Sequence, residues 1–511
     1  MKRIFQLLAI VLLLQACGSS KSTQAPIVST VGFEVNLNDR TNDTFKVKVL
    51  APTLTADNTI FQFASTAPGT YQVMDIGRYV SNFTAYNSKD ELIETSQIST
   101  NQFQLDSPEQ IAYITYDIAE TWDTAVTENN IYLMCGTSIE EDHALINGQA
   151  VFGYFKGLQK NPISISLSHP EHWQIGTALS MDNSGNYLAN SYDHVVDSPI
   201  LLGRLTKASM NVQNTVVDIY TYSKTDKIES TQILESMSNM LKAASGFLNG
   251  LPVDRYTFLF HFEDRTNGAW EHSYSSEYVY QEKDWSALET DILEVASHEF
   301  FHVVTPLNIH SEIVQDFNFI TPVPSKHLWL YEGTTEWAAH MMLLRSNQKS
   351  LDDYFHTLSR KIMIDSKYFD SDYSLVDLAL TSYTKKGSKQ YGNIYMRGAL
   401  VAGLLDIKLL ELSNGKIGLI DVVNDFATKY GPNKPFEDDT FFTEFVRATY
   451  PEIEDFMENY IKDSNPLPIK EYYSIIGVNY NEASGTFSLN EAATPEQLKL
   501  RNKWMQTIQL N

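Results

Sequence analysis

The chain has 511 residues, 43% of them hydrophobic and 12% aromatic, which excludes a disordered polyelectrolyte and is enough for roughly two to four globular domains. Its net charge is −25, from 38 basic and 63 acidic residues. That balance argues against nucleic acid as a partner, because a phosphate backbone needs a basic surface, and it reads as a soluble acidic exterior.

The first elements are targeting signals. Lys2 and Arg3 precede an apolar run, Ile4 to Leu14, too short to span a bilayer. Leu14-Gln15-Ala16-Cys17 then resembles a bacterial lipobox, followed by Gly18-Ser19-Ser20. Read this way, residues 1–17 are a lipoprotein signal peptide and Cys17 is the lipidated residue. An ordinary cleavable signal with an incidental cysteine is the alternative. The mature chain would be held to a membrane by acyl chains, in a bacterial cell envelope, facing the periplasm or the cell surface. Cys135 is the remaining cysteine and reads as a small apolar core residue.

Residues 18–26 are a polar tether. From 27 to 208 the pattern is strands and turns. Gly32 to Leu37, Thr44 to Leu50, Ala112 to Ile118 and Ile163 to Leu167 alternate apolar and polar residues, with turn signals at Asn147-Gly148 and 183–186. This predicts a β-sandwich-like domain. Strands are predicted at 215–222 and 256–262, with a helix at 230–250 between them. After 285 the spacing of apolar residues turns helical: 286–304, 328–346, 351–364, 392–413, 417–430, 438–449 and 451–462. The fold class is therefore α+β and multidomain. A small mixed sheet and a helical lobe span 209–465; with His298-Glu299-Phe300-Phe301-His302 at their junction they resemble a thermolysin-like organisation, and 466–511 is a polar, weakly patterned tail.

Chemistry is concentrated in His298-Glu299-Phe300-Phe301-His302, within a stretch of helical character. Positions four apart share one helix face, so two imidazoles at that spacing reach one tetrahedral zinc. Glu299 sits beside the first histidine, where its carboxylate can take a proton from a water without being a ligand. Catalytic zinc needs a third protein ligand. Glu332, in Leu328-Trp329-Leu330-Tyr331-Glu332-Gly333-Thr334-Thr335-Glu336-Trp337, is the candidate, in a second apolar helix after the linker 303–331. Glu336 lies one turn further on. It could accept a hydrogen bond from a zinc-bound imidazole and fix its tautomer; the alternative is a surface carboxylate.

These motifs together resemble the glutamate-ligand zinc peptidases, and within them the glycyl aminopeptidase family, metallopeptidase family sixty-one. Gly268-Ala269-Trp270-Glu271-His272-Ser273, Tyr395-Met396-Arg397-Gly398-Ala399 and Leu405-Asp406 are similar to further segments of that family. So are Ala67-Pro68-Gly69-Thr70-Tyr71, Val80 to Ala85 and Val196 to Ile200. The likeness covers roughly residues 30–465. It implies that Tyr395 donates to the developing oxyanion, with Tyr391 the alternative donor. It implies that Glu271 meets the free α-ammonium of a peptide, and that His272 orients that carboxylate or the substrate. The family's C-terminal PDZ module is reduced here to its edges, Ile475 to Tyr480 and Thr494 to Arg501, so 466–511 is expected to be a vestigial remnant.

The expected activity is that of an aminopeptidase using one zinc ion, acting on peptides with a free N-terminus, with a glycine or alanine preference resting on resemblance. Two alternatives remain open: an endopeptidase on the same scaffold, and a non-catalytic peptide-binding envelope lipoprotein.

Overall fold

The computed structural model describes residues 29–510 apart from 266 and 509. Cys17, the expected signal segment and the expected tether lie outside the described residues. No described helix is long and apolar enough to cross a membrane.

The N-terminal part is β-rich. At the centre of an eight-stranded sheet, Val31–Asn36 pairs antiparallel with Thr44–Leu50 and parallel with Ile163–Ser168. The alternation seen in the sequence is borne out: Phe33, Val35, Val47, Val49, Ile114, Tyr116 and Ile118 are all buried. Two four-stranded sheets complete this part. One of them orders Gln174–Thr177, Ile200–Gly203, His143–Ile146 and Ser138–Ile139.

A five-stranded mixed sheet follows, in the order Thr206–Val212, Thr215–Ser223, Arg255–Glu263, Ser275–Gln281, Gly268–Glu271. Its first strand crosses the boundary expected at 208. The hairpin partner, Thr215–Ser223, holds that strand in the five-stranded sheet. The parallel pair Thr215–Ser223 and Arg255–Glu263 is joined by the helix Ser230–Phe247, as a parallel connection requires. Gly268–Glu271 is the edge strand and runs antiparallel to Ser275–Gln281.

The helical lobe packs on this sheet. In the motif helix, Glu289–Phe301, Ile292, Ala296 and Phe300 recur every four residues and are buried. Phe300 meets Tyr256 at 4.8 Å between ring centroids. Two positions beyond Ala296 and Phe300 is the opposite helix face, which therefore carries His298 and His302 toward the rest of the lobe.

The second motif divides into a π-helical stretch, Trp329–Thr334, and the α-helix Thr335–Arg345. The wider turn falls on Glu332, and a π segment at a functional residue is a frequent pairing. This stretch crosses the helix Asn393–Leu412, which carries Tyr395. The crossing is glycine on glycine: a Cβ on Gly333 would lie 2.8 Å from the Gly398 Cα.

The tail is more ordered than its weak pattern predicts. It folds as the helix Ile469–Ile475, the hairpin Val478–Asn481 with Thr486–Leu489, and the capped helix Pro495–Trp504. A few large residues anchor it. Tyr473 and Trp504 are each 1% exposed, and Arg345 Nε donates to the Trp504 carbonyl at 2.9 Å. So sparse an anchor leaves little periodicity in sequence.

The glycine crossing generates a prediction. Alanine raises helix propensity by about 1 kcal/mol over glycine, whereas overpacking costs about 1–3 kcal/mol, and here both faces are backbone with no side chain to swing away. Gly333→Ala is therefore expected to lower the melting temperature and to weaken metal binding by moving Glu332. Thermal unfolding and zinc titration check both; an unchanged protein refutes the tight crossing.

Candidate active site

The motif helix ends at Phe301, and the chain turns immediately after it. His302 Nδ1–H donates to the Thr305 carbonyl at 2.8 Å, and Asn308 Nδ2 donates to the Val303 carbonyl at 2.6 Å, closing the turn. His298 Nδ1–H donates to Glu336 at 2.8 Å. Both Nδ1 atoms are thus engaged, so each ring directs Nε2 inward. Glu332 Oε2 stands 3.4 Å from His298 Nε2 and 3.6 Å from His302 Nε2. Ligand bonds of about 2.0–2.1 Å to a tetrahedral ion give ligand–ligand edges of about 3.3 Å, so the spacing suits one.

Charge supplies a second test of that fit. Ligand atoms of Glu271, Glu299 and His302 also lie within 4.8 Å of one another. Burial raises Glu299 to about 7; His298 opposes the rise and Glu332 adds to it. Burial, then Glu332 and Glu299, push Glu271 well above the usual carboxylate range. Burial opposes the charge on Glu332, but His302 and His298 outweigh it and hold its pKa low. Carboxylates gathered this closely in a closed cleft are costly without a cation among them. Burial pulls His302 down to about 4, leaving a neutral ring with a free lone pair. Burial also works against the charge on His298, but Glu332 and Glu336 push it well above its usual range, so a proton and a metal ion compete for that nitrogen. His298, His302 and Glu332 fit a divalent metal.

Glu336 is the hub of a network behind the ligands. It accepts from His298, from His340 Nε2 at 3.1 Å and from Lys361 Nζ. Burial disfavours its charge, yet Lys361, His298 and His340 hold its carboxyl well below the usual range. Lys361 also donates to the Tyr395 carbonyl at 3.0 Å, linking the metal-side network to the tyrosine helix. Lys361 and His340 were not predicted. Their signal is a buried lysine and histidine on otherwise apolar helix faces.

Glu336, His340 and Lys361 border a cavity of about 340 Å³, while His298, His302 and Glu332 face another of about 100 Å³. Glu271, His298, Glu299, His302, Glu332, Tyr391 and Tyr395 line the smaller one. The Tyr395 ring lies 5.6 Å from the His298 ring, and burial, then Glu332, push its phenol far up, so it stays protonated. Its neighbour Tyr391 sits 5.9 Å away, ring to ring. His272 lies elsewhere. One residue past the edge strand, it lines an adjacent larger cavity of about 380 Å³ that Glu271 also borders, its ring tilted 59° to Trp270 with centroids 4.5 Å apart and its Nδ1 3.5 Å from Asp197.

The sequence reading assigned no role in this cavity to the N-terminal part. Gly69, Thr70 and Tyr71 form one wall, and Tyr71 packs 5.0 Å from Tyr391. Gly69 has φ +76°, and a Cβ there would lie 2.7 Å from Glu271 Oε1, so glycine is what permits the loop to approach the carboxylate. Tyr71 itself adopts φ +46°, a strained conformation for a bulky residue and a mark of functional sites. Pro68-Gly69-Thr70 marks a turn in sequence, but no local signal tells where that turn docks.

Comparison with known proteins follows the same lines. A solved structure described as an aminopeptidase N family protein from Idiomarina loihiensis superposes with a TM-score of 0.77 at 20% identity, covering 88% of this chain and 79% of that one. An M1 zinc metallopeptidase from Deinococcus radiodurans superposes with a TM-score of 0.52 at 10% identity, over 86% of this chain and 95% of that one. A two-domain M1 zinc metallopeptidase bound to L-arginine gives 0.51 at 10%, with the same coverage. At these identities the likeness is one of fold. No curated protein matches the sequence. Residues 32–204 match the peptidase M61 N-terminal domain, and residues 291–401 match the M61 glycyl aminopeptidase domain. With both domains of one family present in order, the chain belongs to the M61 glycyl aminopeptidase family.

Proposed function

We propose that this metallo-aminopeptidase family member is a zinc enzyme that removes N-terminal residues from peptides, with Glu299 as the base. The observation that carries the reading is the convergence of Glu271, Glu299 and Tyr395 on the cavity lined by His298, His302 and Glu332. His298 and His302 through Nε2, and Glu332 through its carboxylate, would hold the ion; a donor set of two imidazoles and a carboxylate suits zinc. When bound, the ion supplies Lewis acidity, polarising the scissile carbonyl and making water a stronger acid.

The protein's own groups do the rest. Glu299 receives the proton of the attacking water and returns it to the leaving amine; a carboxyl near 7 is well matched to both transfers. Tyr395 donates its phenolic hydrogen to the oxygen on which charge develops. Glu271 pairs with the α-ammonium, beside the Gly69–Tyr71 loop. A buried ammonium without an anionic partner is costly, so this contact favours chains with a free amine and sets the register of cleavage. Gly69 and Tyr71 close the cavity beside Glu271 and exclude water from that pairing. A small first residue suits so confined a space, in keeping with glycine or alanine. Anchoring in a cell envelope through Cys17 is part of the same proposal and rests on the leader sequence.

Three outcomes test the reading. Glu299→Gln is expected to keep its zinc while turnover falls by about 10³-fold or more; equal turnover would remove Glu299 from the mechanism. Free-amine peptides should be cleaved and their N-acetylated forms spared, with Glu271→Ala raising KM for the free forms. If blocked peptides are cut equally well, the enzyme is an endopeptidase. Lys361→Met and Glu336→Gln should weaken zinc binding by about 10–100-fold, because they loosen the partner of His298; competition with a chelator reads this directly.

A further inference from the structure

A second cluster of metal-ligand side chains lies where the N-terminal β part meets the five-stranded sheet. In the strand Arg255–Glu263, positions 259, 261 and 263 share one face. Leu259 packs there with Leu145, Leu201, Tyr220 and Val279 in a small core of its own. His261 and Glu263 continue the same face, and His143 reaches them from the first residue of the facing strand, His143–Ile146. The His143 and His261 rings meet edge to face at 4.7 Å, and His143 stacks on Tyr222 at 3.8 Å.

These residues are enclosed yet poorly satisfied. His261 is 0% exposed, His143 1% and Glu263 7%. His143 Nδ1–H donates to Asp142 Oδ1 at 2.9 Å, which fixes the tautomer and turns the Nε2 lone pair the other way. That Nε2, and both ring nitrogens of His261, have no hydrogen-bond partner among the described residues. Buried polar atoms are nearly always paired, so three orphaned imidazole nitrogens in one cluster call for a ligand. Burial, then His143, keep His261 neutral, the form that binds metal. Glu263 Oε2 is already shared by Lys224 Nζ at 2.8 Å and the Asp264 amide at 2.9 Å, so its carboxylate is oriented rather than free to rotate.

We propose that His143, His261 and Glu263 form a second site for a divalent transition ion such as zinc. One potential ligand atom from each lies within 4.8 Å of the other two. Two imidazoles and a carboxylate are a zinc-type donor set. The site shares no residue with the catalytic cavity, and its ligands come from both sides of the junction. Its role is therefore structural: it clamps the N-terminal part, which supplies Gly69 and Tyr71, onto the sheet whose edge carries Glu271.

The test counts metal on the full chain. Protein stripped with a chelator and re-equilibrated with zinc is expected to hold two equivalents by elemental mass spectrometry. His143→Gln and Glu263→Gln should each hold one. The double variant His298→Gln/His302→Gln should also keep one equivalent, together with a zinc-dependent rise in melting temperature. That rise should vanish when Glu263→Gln is added. A single equivalent in the unaltered protein overturns the site, as does a second equivalent that both single variants retain.

Discussion

Negative charge in a closed cleft is the constraint on which the rest of this structure turns. Glu271, Glu299, Glu332 and Glu336 gather around His298 and His302. Each buried carboxylate loses hydration that only a cation, a proton or a directed hydrogen bond restores. The molecule divides the task. Lys361 pairs with Glu336 and His340 donates a hydrogen bond to it from behind, and the histidine nitrogens face Glu332 in front. Glu299 and Glu271 are left with raised pKa values. Those are the two carboxyl groups to which a proton and an ammonium are assigned in the proposed reaction. The separation of roles among four chemically identical side chains is thus a consequence of who their neighbours are.

Geometry at this site depends on backbones coming unusually close. Gly333 against Gly398 brings the helix of Glu332 onto the helix of Tyr395, and Gly69 brings the N-terminal loop onto Glu271. Both contacts exclude any Cβ, and both set distances between a charged group and a tyrosine or carboxylate. The β-rich part is therefore more than a support. It provides a wall of the cavity, and a junction with its own small apolar core and histidine cluster holds that wall in place.

Legibility in the sequence followed the range of the interaction. His298, Glu299 and His302 stand out because a helix puts residues four apart on one face, a rule that needs no tertiary knowledge. Glu332 and Glu336 were legible as a second apolar helix with two acids one turn apart. The π turn at Glu332 was not, since all six residues of Trp329–Thr334 are buried and no exposed face marks its period. Glu271 and Tyr395 came from resemblance, and they line the same cavity as the histidine pair. His272, one residue past the end of the strand that carries Glu271, does not; it lines the neighbouring cavity, which Glu271 also borders. The order of the tail was not legible, because it rests on Tyr473 and Trp504 rather than on a periodic face.

By itself the sequence determined the local elements, the α+β class and the pair of histidines on one helix face. These depend on periodicity and on residue chemistry within a few turns of the chain. Tertiary structure alone decided that Lys361 would hold Glu336, that Tyr71 and Gly69 would wall the cavity, and that His143 would meet His261. Those contacts join residues far apart in the chain. They are set by how sheets and helices pack once their apolar faces are buried, and packing partners leave no mark in local spacing.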